Sequence, residues 1–195
     1  MSKQFKFSFF EKLKDPKVTK LAIDIEEFDK LVRGNKMKVL IEAYKKSGNK
    51  ELKNQLPLVT FSGQFKSRRK SDLICHSGLI CIDIDNIPYA NELKERLKEE
   101  DYVFYMFKSP SGNGLKVVIK IDASNEEEHL LYFNALEKHF KVMNIPIDKA
   151  CKDVSRACFL SYDFTAFHNM DAITLDSEWL KNYLPIENSK IENIE

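Results

Sequence analysis

The chain has 195 residues, of which 43% are hydrophobic and 31% are charged. These values are typical of a soluble globular protein that buries its core within one domain. The 31 basic and 30 acidic residues nearly cancel to a net charge of +1, which excludes a globally basic nucleic-acid-binding surface and leaves only local patches for that role.

The sequence indicates neither a membrane protein nor a secreted one. No apolar run approaches transmembrane length, and the charged N-terminus lacks a signal-peptide core. The four cysteines, Cys75, Cys81, Cys151 and Cys158, show no CxxC spacing. We therefore expect a reduced, cytoplasmic protein without a membrane partner. A zinc site built from Cys75, His76 and the later cysteines is an alternative, disfavoured because structural zinc sites usually have paired ligands.

The first 50 residues predict one strand and a helical region that is broken in two. Alternating phenylalanines favour a strand over residues 5–10. Apolar residues then recur with a helical period over residues 23–46, with a break at Gly34-Asn35 and a stop at Ser47-Gly48-Asn49. We interpret this part as two packed surface helices.

The segment from Leu56 to Lys70 predicts a strand that runs into a basic stretch. Four of the last five residues of this segment are cationic, and Phe65 precedes them. Such a stretch is usually a solvated loop. Placed just before a pair of carboxylates, it could instead hold the phosphates of a nucleotide or a template. The sequence leaves both interpretations open. The cations are Lys66, Arg68, Arg69 and Lys70.

Residues 77–86 contain the first candidate metal ligands. The apolar, β-branched run Leu79–Ile82 predicts a buried strand that continues through Asp83 and Asp85. Alternate side chains of a strand share a face, so these carboxylates would lie about 6–7 Å apart along the chain. They would repel each other without a cation between them, and oxygen ligands suit Mg²⁺ or Mn²⁺. The alternative is an ordinary strand end at which Asp85 caps the next helix.

After a charged amphipathic helix over residues 88–100, the chain predicts a hairpin with a polar turn. Its strands are expected at residues 102–107 and 117–121. The turn would expose backbone N–H groups and small hydroxyls to an anion, with Lys116 behind them as a cation. A tight hairpin needs glycine for its backbone alone, so the turn does not by itself indicate a phosphate site. Its candidate binding residues are Ser109, Ser111, Gly112, Asn113 and Gly114.

The last part of the chain predicts a long helix and a strand, with a carboxylate and an arginine ahead of the strand. A capping box at Ser124 and Glu127 opens the helix. Asp148 and Arg156 then precede a strand expected over residues 157–162, although a simple surface ion pair between them is an alternative. The core stripe predicted for the helix is Leu130, Phe133, Leu136 and Phe140.

Three features in a fixed order resemble the archaeo-eukaryotic primase superfamily, whose catalytic core is the primase-polymerase (PrimPol) domain. They are the strand with two aspartates, the glycine-rich hairpin, and an aspartate followed eight residues later by an arginine. Over roughly residues 50–165 the chain looks more closely like the VirE-N-like branch found in bacterial mobile elements. The motifs that carry this likeness are Phe61-Ser62-Gly63-x-Phe65, Ser77-Gly78-Leu79-Ile80-x-Ile82-Asp83-Ile84-Asp85, Ser109-Pro110-Ser111-Gly112-x-Gly114-Leu115-Lys116 and Asp153-Val154-Ser155-Arg156-x-Cys158-Phe159-Leu160-Ser161-Tyr162-Asp163.

The resemblance implies an α/β (α+β) fold built on a mixed, RRM-like sheet. The acids would lie on one face of this sheet and helices on the other, with an N-terminal αβ portion (residues 1–50) packed alongside the core (residues 51–165). We therefore expect a single catalytic domain over residues 1–185 and a disordered polar tail over residues 186–195. The last helix of the domain is expected at Trp179, Leu180 and Leu184.

The resemblance also implies roles for individual residues. Asp83, Asp85 and Asp148 match the acids that bind metal and take part in catalysis, and Arg156 matches a basic residue near the nucleotide phosphates. Lys116 stands where many relatives have a histidine that touches the triphosphate. A lysine can neutralise a phosphate, but it cannot reproduce the hydrogen bonding of a neutral imidazole. The implied nucleotide-binding set is Ser109, Ser111, Gly112, Asn113, Gly114, Lys116 and Arg156, and the implied nucleic-acid-binding set is Lys66, Arg68, Arg69 and Lys70.

The activity implied is template-directed nucleotidyl transfer, as in a DNA primase or polymerase, by a two-metal-ion mechanism. Two Mg²⁺ or Mn²⁺ ions would activate a 3′-hydroxyl and neutralise the leaving pyrophosphate. The expected partners are a single-stranded DNA template or primer, nucleoside triphosphates, and a helicase in the same chain or operon. The expected setting is replication or repair of bacterial or mobile-element DNA.

Two other function classes remain open. A metal-dependent nuclease could use the same carboxylates without a hairpin that binds triphosphate. A non-catalytic nucleic-acid-binding module would need aromatic residues on an open face of the sheet. Tyr102, Phe104, Tyr105 and Phe107 are the candidates for such stacking, and core packing is the simpler explanation for them.

Overall fold

The computed structural model describes residues 5–183. The predicted tail at residues 186–195 lies outside the described residues, and so does Leu184. Within the described part of the chain, no helix has the length and apolar character needed to cross a lipid bilayer. All four cysteines are free thiols.

The N-terminal part contains the predicted strand and helices and adds two elements. β1 (Phe7–Phe10) is the predicted strand, and β2 (Lys20–Ile23), which the sequence pattern did not predict, pairs with it antiparallel. α1 (Ile25–Arg33) and α2 (Lys38–Ser47) are the two predicted helices. The short α3 (Lys50–Asn54) was not predicted.

Local capping explains where these helices begin and end. The Asp24 carboxylate accepts a hydrogen bond from the Glu27 N–H (3.0 Å) and caps α1, which stops at Gly34. α2 stops at Gly48, whose φ of 66° lies in the left-handed region that glycine adopts without a steric penalty. The break and the stop predicted from the sequence are both confirmed.

The strand predicted in the first part of residues 56–70 is two strands in the structure. β3 (Leu58–Thr60) and β4 (Gly63–Phe65) are separated by a two-residue turn, and they belong to different sheets. β5 (Leu73–His76) pairs with β4 and was not predicted.

The region around the acids and the hairpin follows the prediction closely. It consists of β6 (Leu79–Ile84), α4 (Ala90–Leu97), β7 (Val103–Lys108) and β8 (Leu115–Ile121). β6 ends one residue before Asp85, so only the first of the two predicted carboxylates belongs to the strand.

The predicted capping box makes Ser124 the N-cap of the long helix, but α5 (Glu126–Val142) begins one residue later than that. Asn125, not Ser124, is the N-cap, and its side chain accepts from the N–H of Glu128 (2.9 Å). The Glu128 carboxylate in turn accepts from the N–H of Ser124 (2.7 Å). In the predicted core stripe, Leu130 is exposed and only the other three residues are buried.

Four short elements end the described chain. They are β9 (Cys158–Phe159), β10 (Phe167–His168), β11 (Thr174–Leu175) and α6 (Ser177–Lys181). β9 is shorter than the strand predicted over residues 157–162, because only two residues of that segment pair with β3. α6 contains Trp179 and Leu180, so the predicted last helix is confirmed at these two residues.

The central sheet has the strand order β6–β8–β7–β10, with antiparallel neighbours, and β11 runs parallel to the end of β8. It is therefore a mixed sheet, as predicted. In its register Asp83 of β6 lies opposite Lys116 of β8. A second sheet, β2–β1–β3–β9, combines strands from both sides of residue 50. The predicted domain boundaries stay predictions.

Hydrophobic cores flank the central sheet on both faces. The three isoleucines of β6 pack with residues of α4 and α5 on one face. Leu79 and Cys81 pack with α1 and the second sheet on the other face. Because side chains alternate along a strand, Asp83 lies on the face that the second sheet covers.

The four aromatic candidates for nucleic-acid stacking are core residues. Tyr102, Phe104, Tyr105 and Phe107 are at most 4% exposed. The ring of Phe28 in α1 lies 5.9 Å from that of Tyr105 and 5.3 Å from that of Phe107. The hypothesis of an open aromatic sheet face is therefore wrong for these residues, because α1, the second sheet and the helices cover them.

Candidate active site

The site is built around Asp83, a carboxylate that β6 carries into the protein interior. Asp83 is only 7% exposed, and one of its oxygens, Oδ2, accepts from the ammonium of Lys116 on the neighbouring strand. Its other oxygen, Oδ1, is buried and has no hydrogen-bond partner in the described part of the chain. Burial raises the pKa of Asp83, and the adjacent ammonium opposes that rise.

Lys116 is the first cation that the structure places beside the acids. It is 8% exposed, and although burial alone would lower its pKa, the neighbouring Cys158 and Asp83 raise it. The cation expected to contact a nucleotide thus neutralises Asp83 in this structure. From sequence alone, Asp83 was expected to face a like charge, but its nearest charged partner has the opposite sign.

Asp148 reaches the site from the segment that follows α5. Its N–H donates to the backbone oxygen of Asp83 (2.8 Å), which ties this segment to the edge of β6. The Asp148 carboxylate caps a 3₁₀ turn by accepting from the Ala150 N–H (2.9 Å), and it also accepts from Arg156 (2.6 Å). The structure therefore brings Asp83 and Asp148 together from two distant segments.

Asp153, another acid of the same segment, orders its local turn. Its Oδ1 accepts from the N–H and the hydroxyl of Ser155, both at 2.8 Å. This turn leads directly to Arg156, and the preceding carbonyl of Val154 accepts from the Ser62 hydroxyl. These bonds anchor the segment that carries Arg156.

Cys151 is a site residue that the sequence analysis did not connect with the acids. Ligand atoms of Asp83, Asp148 and Cys151 all lie within 4.8 Å of one another, and this carboxylate–thiol cluster could hold a metal ion. Burial raises the pKa of Cys151 to about 12, so its thiol is neutral at neutral pH without a bound metal. The available signal was the spacing of three residues from Asp148, because residues i and i+3 eclipse in a 3₁₀ turn.

Asp85, the remaining predicted acid, lies outside the carboxylate–thiol cluster. It follows the last residue of β6 and is exposed. The next residue, Asn86, has a φ of 56°, so the chain turns away from the strand direction there. Asp85 is still near enough to contribute to the raised pKa of Asp83, after the larger effect of burial.

A small pocket lies against the buried acid. Its volume is about 20 Å³, and its lining includes Asp83, Lys116, Cys151 and Arg156. A cavity of this size holds one water-sized ligand or a single ion, since about 10–15 Å³ suffices for a water molecule. A nucleotide would therefore have to bind at the mouth of the pocket.

The hairpin turn packs closely against the end of β6. A Cβ on Gly114 would lie 2.6 Å from the Ile84 carbonyl oxygen and 3.3 Å from the Asp85 Cα, so only glycine allows this approach. Ser109 and Ser111 are hydrogen-bonded through their hydroxyls (3.0 Å). The predicted phosphate turn and the predicted acids are thus neighbours in space.

Lys45 of α2 is a second residue that the sequence pattern did not indicate. Gly112 has a φ of 83°, and a Cβ built on it would lie 3.1 Å from Lys45 Cε and 3.4 Å from Lys45 Nζ. The N-terminal helix therefore places an exposed ammonium over the hairpin turn.

The side chains of two cations in the basic stretch bond to other parts of the protein. Arg68 donates to the Leu13 carbonyl (2.5 Å), and Lys70 pairs with Glu126 (2.6 Å). Lys66 and Arg69 are exposed. The pKa of Lys70 is raised, first by its bond to Glu126 and then by charges that include Asp153, which lines the pocket. The stretch thus borders the candidate site.

A buried histidine pair supports the turn that carries Cys151. The Gly78 N–H donates to His76 Nδ1 (3.0 Å), which leaves His76 Nε2 as the donor to His129 Nδ1 (3.1 Å). His129 Nε2 then lies 3.4 Å from the Cys151 carbonyl oxygen. Burial lowers the pKa of His129 to about 4, so His129 is neutral at neutral pH. The zinc site suggested by the sequence would use Cys75, His76 and the later cysteines, but among the described residues the cluster that could hold a metal ion includes neither Cys75 nor His76.

Comparison with known proteins gives one family. The family model described as "BT4734-like, N-terminal domain" matches residues 51–168, which is more than half of the chain. The matched segment contains the carboxylate–thiol cluster, the hairpin turn and Arg156, and it nearly coincides with the core predicted at residues 51–165. No curated protein and no solved structure gave a match.

Proposed function

Because the chain belongs to the family of BT4734-like N-terminal domains and brings two carboxylates together beside a small pocket, we propose that it is a metal-dependent nucleotidyltransferase. The activity would be that of a template-directed primase-polymerase. The observation that carries this proposal is the convergence of Asp83 and Asp148, which come from separate segments and meet next to Lys116 and Arg156.

The connectivity of the central sheet supports an RRM-like primase core. The order β6–α4–β7–β8–α5 along the chain, with β8 between β6 and β7 in the sheet, is that of the first five elements of a βαββαβ unit. Among the described residues, no sixth element of this unit pairs with β6. The segment after α5 instead makes one backbone hydrogen bond to β6, from the Asp148 N–H to the Asp83 oxygen. That hydrogen bond holds Asp148, which we propose as the third acid, against the end of β6.

The acids present fit Mg²⁺ or Mn²⁺ in part. Asp83 and Asp148 provide oxygen ligands, and the buried Asp83 Oδ1 would gain the partner that it lacks among the described residues. When bound, a divalent ion would lower the charge of the phosphates and favour ionisation of the attacking hydroxyl. A second ion would have to use Asp85, which is exposed at the end of β6.

The side chains of the site suggest a division of labour. The Arg156 side chain is 43% exposed while it holds Asp148, so its guanidinium can also reach a phosphate at the mouth of the pocket. Lys116 holds Asp83 and is buried, so it would act on phosphate only after leaving that carboxylate. The exposed Lys66 and Arg69 would contact the template backbone.

A primer-synthesis and extension assay tests the proposal. Labelled ribo- and deoxyribonucleoside triphosphates would be supplied with single-stranded DNA and either Mg²⁺ or Mn²⁺. We expect incorporation by the wild type and its loss in Asp148→Asn, which keeps the size of the side chain. Asp153→Asn is the matched control from the same segment, since Asp153 lines the pocket and bonds to Ser155 but is not a member of the carboxylate–thiol cluster.

Two results would contradict the proposal. If Asp148→Asn retains full incorporation, the carboxylate is not part of the chemistry. If the wild type binds no labelled nucleotide and degrades the DNA in the presence of Mn²⁺, the same acids serve a nuclease.

A further inference from the structure

We propose that the carboxylate–thiol cluster binds a thiophilic divalent cation of the Zn²⁺ type, and that this ion inhibits the enzyme by excluding Mg²⁺ or Mn²⁺. The ligands would be one carboxylate oxygen each of Asp83 and Asp148 and the sulfur of Cys151. The binding site stands on the structure alone, whereas the inhibition rests on the proposed function.

The ligand atoms of the cluster are almost as close to one another as they would be around a bound Zn²⁺ ion. The three ligand atoms lie within 4.8 Å of one another before any ion is bound. Zn²⁺ binds carboxylate oxygen at about 2.0–2.2 Å and thiolate sulfur at about 2.3 Å in tetrahedral geometry, so its ligand atoms are about 3.3–3.8 Å apart. A contraction of about an ångström would complete the site.

A second, independent observation indicates that a ligand belongs there. Asp83 is more than nine-tenths buried, and its Oδ1 has no hydrogen-bond partner in the described part of the chain. A buried carboxylate oxygen without a partner is rare in folded proteins and calls for an unseen water or ion. The adjacent pocket of about 20 Å³, lined by both Asp83 and Cys151, has room for one.

The backbone around the cluster holds its members in place. The bond from Asp148 N–H to Asp83 O joins the two carboxylate segments, and Asp148 caps the 3₁₀ turn that contains Cys151. His129 of the histidine pair lies close to the carbonyl of Cys151, with Nε2 3.4 Å from its oxygen. Each ligand is thus attached to a hydrogen-bonded element and not to a free loop.

The ligand types select the metal class. Mg²⁺ prefers six oxygen ligands in near-octahedral geometry, and a sulfur ligand does not suit it. Two carboxylates and one thiolate suit Zn²⁺, with water in the fourth position. On binding, the Cys151 thiol releases its proton to solvent as the zinc–sulfur bond forms. The ion with its two carboxylates and one thiolate then carries a net charge of −1, which the nearby Lys116 and Arg156 offset.

The main competing site is a thiol pair in the same pocket. The sulfurs of Cys81 and Cys158 are 3.9 Å apart, a separation that one metal ion could also bridge. The experiment must therefore identify which cysteine binds.

Cobalt titration of the full chain is the direct test, with Co²⁺ as a spectroscopic substitute for Zn²⁺. We expect a thiolate-to-cobalt charge-transfer absorption in the wild type that added Zn²⁺ abolishes and excess Mg²⁺ does not. The absorption should be lost in Cys151→Ser and kept in Cys75→Ser, whose cysteine is exposed and does not line the pocket. Asp148→Asn should weaken cobalt binding by about tenfold or more, or about 1.4 kcal/mol. Circular dichroism checks that each variant is folded.

Two outcomes would overturn the proposed site: no charge-transfer absorption in the folded wild type, or an absorption that Cys151→Ser retains and Cys81→Ser or Cys158→Ser removes. This titration contains neither nucleotide nor template, so its failure leaves the proposed polymerase activity untouched. Conversely, cobalt binding through Cys151 in a protein without polymerase activity would contradict only the proposed function. If activity is found, Zn²⁺ should inhibit nucleotide incorporation less strongly in Cys151→Ser than in the wild type. Inhibition is measured for each protein relative to its own rate without zinc.

Discussion

At the scale of single residues, the buried pair of Asp83 and Lys116 explains how an acid can be held in the interior without a metal. The two residues face each other in the register of β6 and β8, and both are at least nine-tenths buried. Neither could be charged there alone, because desolvation of an isolated ion is costly. Each member of the pair therefore compensates the buried charge of the other, so the loss of one member alone should destabilise the fold.

Replacing Lys116 by methionine should destabilise the protein. The change Lys116→Met leaves the Asp83 carboxylate buried without its partner, and such a loss costs about 3–5 kcal/mol of unfolding free energy. Urea denaturation at neutral pH measures it. The double variant Asp83→Asn/Lys116→Met should recover most of the loss, since no buried charge remains. Wild-type stability of the single variant would mean that the pair is not formed in solution.

Lys45 provides a prediction about the proposed nucleotide site. Its ammonium lies over Gly112, although α2 is outside the segment that the family model matches. A charge-assisted contact with phosphate is worth about 1.5–3 kcal/mol. Lys45→Ala should therefore weaken nucleotide affinity by roughly ten- to a hundredfold. Lys46→Ala is the matched control from the same exposed helix end, and equal effects of the two variants would argue against a specific contact.

At the scale of elements, two polar contacts hold irregular segments against the regular ones. The histidine pair connects the turn before β6 with the 3₁₀ turn that carries Cys151. The ion pair between Lys94 and Asp163 connects α4 with the segment after β9 (2.7 Å). Both contacts are buried, and they add to backbone hydrogen bonds of these segments, such as the one from the Asp163 N–H to the Val32 oxygen (3.0 Å).

The histidine pair predicts a loss of stability in mild acid. Burial lowers the pKa of His129 from 6.5 to about 4, with Asp153 and Glu126 opposing the shift and Lys70 adding to it. A lowered histidine pKa means that the folded state favours the neutral form. The resulting stability is complete above pH 6.5 and is lost as the pH falls through that value towards about 4. The full loss is about 3 kcal/mol.

Chemical denaturation of the wild type and of His129→Gln across this pH range checks the prediction. The variant should be less stable than the wild type at neutral pH and should show a flatter pH dependence, because it cannot gain the proton. A wild-type stability that does not change between pH 6.5 and the lowered pKa would contradict it.

The ion pair on α4 predicts that replacing Lys94 lowers the stability of the protein more than replacing Lys98 does. Lys94 is buried, and its ammonium also donates to the Thr165 carbonyl (2.8 Å), whereas Lys98 pairs with Glu95 at the surface. Lys94→Met should cost about 3–5 kcal/mol by leaving Asp163 unpaired. Lys98→Met should cost less than about 1 kcal/mol. Thermal and urea denaturation of both variants compares them, and similar stabilities would refute the buried role.

At the scale of the whole molecule, the central sheet is enclosed on both faces. α4 and α5 pack on one face, and α1 with the second sheet packs on the other. The site therefore opens at the edge formed by β6 and the segment after α5, not on a bare sheet surface. This enclosure argues against a nucleic-acid-binding module that stacks bases on the aromatic residues of β7.

Elements with local signals could be predicted from the sequence. The break at Gly34, the buried strands β6, β7 and β8, and the glycine-rich turn between the last two follow from hydrophobic period and turn chemistry within a few residues. The prediction of Asp148 as a partner of Asp83 came from the family resemblance and not from periodicity. The structure brings the two acids together, and their catalytic role stays a prediction.

Only the tertiary structure decided which side chains meet. Asp85 was grouped with Asp83 by strand alternation, but β6 ends before Asp85 and the chain turns at Asn86. Cys151 enters the cluster because a 3₁₀ turn folds against β6, and Lys116 meets Asp83 because β8 pairs with β6 in one register. His76 and His129 are 53 residues apart in the sequence, and Lys94 and Asp163 are 69 residues apart. Contacts at such separations depend on how sheets and helices pack, and no pattern of neighbouring residues encodes them.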